Sequence, residues 1–587
     1  MTMQRSDRST GHGEDGGFVL TWFALFLLVM MAMAGFSVDV WNWWYTAQRT
    51  QNAADAASLG GVVYLPDTSL AVSQAQSIAV QNGFATGDTT AMAGANKRTL
   101  TVSIETTVDN FFTGLLGVET TTIGRDATAE FTGDVPMGSP ENFLGNDPDE
   151  SQSPDHWISV SGRSSTKQGG DRFQSENCSQ SAYRCPGSGN SNSEYDANGY
   201  SFRINTVSAA DADLSIEVFD ATHNFENNQN CAGNQGNRLN MPSGLPNYAA
   251  WYDAIDFLKG APSGDSATRY ATGENAYCVG DSGQADNMTT TFIVRSPDGT
   301  VQDDFDNPIY ASGTCTRQYG AINDNSNWLR IIRDVYAGTD TNAEHVEFAQ
   351  TYREWTTLCT IPQGTVNSFR SLYGDDSAFV VQVRTNSPLG NPCSNPPACN
   401  SAASTQDYNS GRNHFSIRAG YGSDLHGDVR VFANERLPIH AASRGANTEF
   451  FLARVGSNQA GRFLKVEFFD TGDAASAGSI TMLQPDEIGD GVINGAGFVP
   501  FTTCAFSSTG GATTSSGCQL TNVVNNGVYQ GQVVTAQVNI PTTYSCQDAN
   551  PLGCWVKIRF AYPSGTDVFD HTVWSAAIVG DPVRLTE

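Results

Sequence analysis

Eight histidines stand at positions 12, 156, 223, 345, 414, 426, 440 and 571, and none forms HExxH or another helical ligand pair. Asp570-His571 sets an acid beside a base, but sequence neighbours are poorly placed for a triad. No G-x-S-x-G elbow, P-loop or strand-borne G-x-G-x-x-G occurs. Paired carboxylates of the glycosidase kind stay open, because acids abound and their separation is not readable in sequence. The chain is expected not to be an enzyme, with a surface hydrolase as the minority reading.

Calcium is the more credible metal, since oxygen-rich turns suit a hard cation. Asp470 and Asp473 follow a strand ending at Phe469, and Asp303, Asp304 and Asp306 lie in DDFDNP, with Asp298 upstream. Neither stretch matches an EF-hand loop, so a solvated acidic turn is the competing reading, and no other cofactor is expected. The 12 cysteines avoid CxxC spacing and lie in Gly/Asn/Ser-rich sequence, which reads as disulfides in an oxidising compartment. Pairing of sequential neighbours is expected: Cys178/Cys185, Cys231/Cys278, Cys315/Cys359, Cys393/Cys399, Cys504/Cys518 and Cys546/Cys554. Trp157, Trp251, Tyr252, Trp328, Trp355, Trp555 and Trp574 could bind a surface glycan or fill cores, with Trp251-Tyr252 the best surface candidate.

These residues sit in a chain of 587 residues with net charge -29, a surface that repels nucleic acid and anionic lipid headgroups. From Phe18 to Val38 there is no charged residue, and about 20 apolar residues suffice to span a bilayer. Arg5 and Arg8 precede this run and Asp39 follows it, which puts the N-terminus in the cytoplasm and the bulk outside. An uncleaved anchor is favoured over a signal peptide, whose apolar core is shorter. The helical pattern continues past Trp41, Trp43, Trp44 and Tyr45 to Gly61, and Pro66 ends it. Ala53, Ala57 and Gly61, beside Ala54 and Ser58, form a small-residue stripe. It could pack against another helix or lie under the chain's own downstream domain.

The block from Gly17 to Leu65 resembles the N-terminal module of TadG-like proteins of the Tad/Flp pilus-assembly system, a likeness extending over roughly 15–135. Its carriers are Asp39 in Val-Asp-Val and the Gln51, Asn52, Asp55 positions of the Gln-Asn-Ala-Ala-Asp run. The resemblance implies a pilin-like helix, partners among pilin-like or pilus-assembly proteins, and no catalysis. Trp22 stands where a processed type IV prepilin carries Glu, and no D-x-S-x-S metal motif of a von Willebrand A domain occurs.

Downstream, Ser69–Asn82 reads as a short helix, and Thr99–Val108 and Thr120–Phe131 read as strands. A weak repeat then pairs Leu214–Thr222 with Leu464–Asp473, and orders three further strand pairs alike. It also aligns Tyr200–Ile204 with His414–Gly420. The expected fold is mainly β: a cytoplasmic tail (1–16), a transmembrane helix (17–38), a small α+β stalk (39–135), a linker (136–154), and two related antiparallel β-sandwiches of jelly-roll type (155–400 and 401–587). The expected role is a membrane-anchored, extracytoplasmic structural component of a Tad/Flp-type pilus-assembly or secretion system. The alternative is a surface adhesin or carbohydrate-binding protein on the same anchor.

Overall fold

The computed structural model describes residues 15–65, 68–94, 99–131, 135–146, 156–178, 191–222, 288–298, 304–312, 315–320, 328–352, 354–374, 377–385, 411–443, 447–493, 499–566, 568–579 and 583–586. The chain divides into unit 1, Met1–Thr132 with Val583–Glu587, and unit 2, Gly133–Pro582.

Unit 1 is built on α1 (Asp15–Val62), a helix of 48 residues, about 72 Å long at 1.5 Å per residue. It carries no charge from Gly16 to Val38 and is largely exposed from Val19 onward, and among the described residues it is the one helix long and apolar enough to cross a membrane. Its second half is amphipathic in size: Ala47, Ala53, Ala54, Ala57 and Ser58 are buried. Against that face lie α2 (Thr68–Gln81), with Ala71, Ala75 and Ala79 inward, and a sheet of β1 (Thr89–Ala93), β2 (Thr99–Asp109) and β3 (Thr120–Phe131). Helix and sheet approach so closely that a Cβ on Gly61 would lie 2.6 Å from Leu100 and 2.8 Å from Ala75. A fourth strand, β24 (Val583–Leu585), pairs antiparallel with β3. Unit 2 is thus an insertion between two strands of unit 1. Three residues carry no periodicity, so the sequence alone left β24 with the last sandwich.

Unit 2 holds two jelly rolls with one continuous hydrophobic core. The first uses β5 (His156–Ser161), β6 (Tyr200–Thr206), β7 (Leu214–Phe219), β8 (Thr290–Arg295), β9 (Thr316–Tyr319), β10 (Trp355–Ile361), β11 (Ala378–Thr385) and β12 (Arg412–Tyr421). The second uses β14 (Leu437–Ser443), β15 (Asn447–Arg454), β16 (Phe463–Phe469), β17 (Gly478–Leu483), β20 (Gln519–Val523), β21 (Val533–Asn539), β22 (Trp555–Ala561) and β23 (Val568–Ile578). In each roll the first, eighth, third and sixth strands form one sheet, and the second, seventh, fourth and fifth form the other. Short strands extend the edges: β4 (Phe143–Leu144) beside β12, β13 (Val429–Ala433) beside β6, β18 (Cys504–Ser508) beside β21, and β19 (Ser515–Ser516) beside β20. Helices α3 (Trp328–Tyr336), α4 (Ala343–Thr351) and α5 (Gln363–Tyr373) belong to the first roll.

The rolls are related by a local two-fold. β5 and β14 pair antiparallel with Ile158 opposite Ile439, which joins the two half-sheets into one 10-stranded sheet. Around that pair β12 mirrors β23 and β7 mirrors β16. Four of the expected repeat correspondences match this topology. The pairing of Tyr200–Ile204 with His414–Gly420 is corrected: His414–Gly420 lies in β12, the last strand of the first roll, and β6 corresponds to β15. The boundary at 400/401 moves past β12 for the same reason, because β12 pairs with β5 and β7. The source of the error is β5, whose six residues are all buried and show no alternation.

Three expected disulfides are formed: Cys315–Cys359, Cys504–Cys518 and Cys546–Cys554. Cys178 is disulfide-bonded, and its expected partner Cys185 lies outside the described residues, as do Cys231, Cys278, Cys393 and Cys399. The first two bridges are equivalent. Each ties the residue just before the fifth strand to the edge of the opposite sheet, closing the open side of its sandwich. Replacing both cysteines of a bridge by alanine should destabilise unit 2 by about 4 kcal/mol for the 44-residue separation of Cys315–Cys359 and about 3 kcal/mol for the 14-residue separation of Cys504–Cys518. Denaturant unfolding of each variant checks the size and the order.

Candidate functional site

The membrane-proximal end of unit 1 is organised by Asp39. It is the first charge after the apolar run and is fully buried. Its Oδ1 accepts from the Phe111 N–H at 2.8 Å. Its Oδ2 accepts from the N–H groups of Phe112 at 3.0 Å and Thr113 at 2.7 Å, and from the Thr113 hydroxyl at 3.0 Å. Those donors begin the turn Thr113–Leu116 at the tip of the β2–β3 hairpin. A carboxylate saturated by backbone donors is a strong charge-assisted latch. One helical turn further, Trp43 Nε1 donates to Asn110 Oδ1 at 2.8 Å, and Asn110 donates to the Val118 carbonyl at 3.0 Å.

The other motif residues serve the same packing. Gln51 donates to Asp55 Oδ1 at 2.8 Å and to the Asp126 carbonyl of β3 at 3.0 Å, while Asn52 is exposed. Ala53, Ala54, Ala57, Ser58 and Gly61 face α2 and the sheet, so the small-residue stripe is covered by the chain's own module.

A second polar cluster lies at the two-fold of unit 2. Registers make His414 in β12 and His571 in β23 equivalent, and make Ser159 in β5 the counterpart of His440 in β14. The contacts follow that symmetry: Ser159 Oγ lies 3.2 Å from His571 Nδ1, and the His414 and His440 rings stack at 4.2 Å. His440 also stacks on His571 at 4.1 Å. All three histidines are buried. A zinc ion must lie in each ligand ring's plane at about 2.0–2.1 Å. Rings stacked with interplanar angles of 5° and 24° aim their lone pairs side by side rather than at one point. The cluster therefore suits packing, not ligation. Gly170, at φ 98°, makes room for it: a Cβ there would meet the His571 carbonyl at 2.2 Å. Glu487 with Cys546 and Cys554 offers no thiolate set, since those sulfurs are bonded to each other.

Asp570 points away from its neighbour His571, as strand residues alternate. It accepts from Gly472 N at 3.0 Å and Thr471 Oγ1 at 3.0 Å. Asp470 accepts from Gly531 N at 2.5 Å, and its other oxygen is buried with no partner among the described residues. Asp473 lies near, with Arg412 the closest opposing charge. Burial, with Asp473 repulsion adding, pushes Asp470 well above the usual range and Asp570 up to about 8; burial pushes Asp473 up to about 6. Burial holds His440 and His571 well below theirs. At the other acidic stretch Asp304 is paired with Arg203 at 2.8 Å and with Asn434, Asp306 is exposed, and Asp303 lies outside the described residues. Of the aromatics, Trp157, Trp555 and Trp574 are buried and Trp355 packs on Phe219, while Trp251 and Tyr252 lie outside the described residues.

The histidine cluster escaped the sequence reading because its members come from three strands far apart in the chain. Aligning His414–Gly420 with His571–Ala577 would have exposed the His414/His571 equivalence.

Two outcomes follow. Asp39→Ala leaves three N–H groups of the hairpin tip without their acceptor, so amide exchange at Phe111, Phe112 and Thr113 should rise by on the order of tenfold or more. Unchanged exchange would mean that other contacts hold the tip. For Asp470, Asp473 and Asp570 the folded pKa is raised, so their contribution is present below about 3.9 and lost as pH rises through the folded values. The depressed histidines act oppositely: theirs is present above about 6.5 and lost as pH falls. Between pH 6.5 and 8 the depressed histidines no longer act while the raised carboxylates do, so stability without divalent cations should fall as pH rises. Asp470→Asn, which tolerates the left-handed φ of 58°, should stabilise by about 1–3 kcal/mol at pH 8 and little at pH 5, read by thermal melts.

Residues 17–76 match the family model Tad, described as "Putative Flp pilus-assembly TadE/G-like". No curated protein and no solved structure matches the chain. The matched segment holds the apolar helix, Asp39, the covered small-residue face and most of α2. The N-terminal segment 17–76 of this chain is therefore similar to the TadE/G-like family of Flp pilus assembly.

Proposed function

We propose that the chain is a membrane-anchored, extracytoplasmic structural component of a Tad/Flp-type pilus-assembly or secretion system, in a minor-pilin or adhesion role. The observation that carries this reading is the apolar half of α1 running without a break into the TadE/G-like module. Arg5 and Arg8 before the helix favour a cytoplasmic N-terminus. Disulfides at both sandwich edges of unit 2 suit an oxidising exterior. Jelly rolls also serve as lectin domains, which supports adhesion by analogy of fold. Calcium at the Asp470–Asp473 turn belongs to this proposal; the pH 8 melts repeated with the ion should shift upward, and not in Asp470→Asn.

Because the small-residue face is covered, contact with pilin-like partners falls to the exposed apolar half of α1. The full chain, solubilised with its pilus system, should co-purify with pilin-like subunits. Ala57→Leu should destabilise unit 1 by about 1–3 kcal/mol through overpacking without changing which subunits are captured from folded protein. Absence of any pilin-like partner from the capture would overturn the reading.

A further inference from the structure

The β2–β3 hairpin ends in the loop 110–118, which holds no charged residue. Its apolar side chains are strongly exposed: Phe111 64%, Phe112 43%, Leu115 83%, Leu116 84% and Val118 53%. Isolated exposed leucines mean little, but five in one loop form a patch that a water-facing surface rarely keeps. The loop is also fixed in depth. Asp39 clamps the N–H groups of Phe111, Phe112 and Thr113. Phe112 lies over Gly35, where an added Cβ would sit 2.4 Å from the ring. Gly35 precedes Asp39 by four residues, about 6 Å along the helix axis toward the membrane side. The flanking acids Asp109 and Glu119 stand at the strand ends, on the other side of the patch.

We propose that this hairpin tip inserts into the outer leaflet, with Phe111, Phe112, Leu115, Leu116 and Val118 among the upper acyl chains and headgroups. The occupant is lipid, because the patch is continuous with the exposed apolar surface of α1 and is held against it inside the hydrophobic run. A depth of about 5–10 Å is what interfacial elements reach. Asp39 then sits at the hydrocarbon boundary with all its acceptor capacity used, which is how a carboxylate tolerates that position. The anchor gains a second foot: helix and hairpin together fix tilt and rotation of the module, which a single helix leaves free. The inference rests on reading α1 as a membrane span.

The test uses the full chain reconstituted in vesicles of phosphatidylcholine and phosphatidylglycerol, with an environment-sensitive fluorophore on one added cysteine. Leu116→Cys and, independently, Leu115→Cys report the tip; Met30→Cys reports α1; Met92→Cys, on β1 and 72% exposed, reports water. Lipids carrying a nitroxide high on the acyl chain should quench both tip labels about threefold or more above the Met92→Cys label, while aqueous iodide should reach Met92→Cys and spare the tip. Quenching at Met30→Cys with tip labels that behave like Met92→Cys overturns the insertion and leaves the anchor standing. Loss of lipid quenching at Met30→Cys as well overturns both.

Discussion

A carboxylate placed directly after a run of 23 uncharged residues must find donors where water is scarce. Asp39 finds them in the backbone of a hairpin more than 70 residues away. This constraint sets the geometry of unit 1. The helix and hairpin are joined at the membrane end by hydrogen bonds, and at the other end by small residues that let Leu100 and Ala75 approach the helix backbone. Between the two, Trp43 and Gln51 each bond the sheet side, so the long helix is held to the hairpin along its extramembrane half. The residues that carry the family resemblance thus make contacts within one module, a packing role with no chemistry to perform.

Much of this was legible in the sequence, and the remainder failed for identifiable reasons. The apolar run, the helix over 69–82 and the two long strands of unit 1 follow from periodicity, and each matches its element within a residue or two. The Glu-Val-Phe-Asp and Glu-Phe-Phe-Asp strands occupy equivalent places in the two rolls because both must turn at a left-handed aspartate, Asp220 at φ 56° and Asp470 at φ 58°. Sequential disulfides were legible because two of the formed bridges join neighbouring edges of one sandwich and the third, Cys546–Cys554, closes a single loop before β22. What escaped was long-range or unpatterned: β5, buried on both faces; β24, too short to show a period; the histidine stack, assembled from three strands; and Asp39's partners, which no local spacing announces.

Unit 2 shows how duplication yields a polar interior. Equivalent strands bring His414 and His571 to either side of the two-fold, and divergence at one position supplies His440 opposite Ser159. Neutral stacked imidazoles tolerate burial, and the nearby carboxylates tolerate it only protonated or beside Arg412. The two sets of groups pull the pH dependence of the fold in opposite directions.

The return of the chain to unit 1 through β24 bears on how the protein is made. A chain synthesised N-terminus first presents α1, the hairpin and β3 long before the strand that completes their sheet. The edge of β3 stays open until some 450 inserted residues have been made. Completion of the anchor module is thereby coupled to completion of the cargo it carries. A chain stalled or clipped within unit 2 would leave the β3 edge unpaired, a template for unwanted strand pairing.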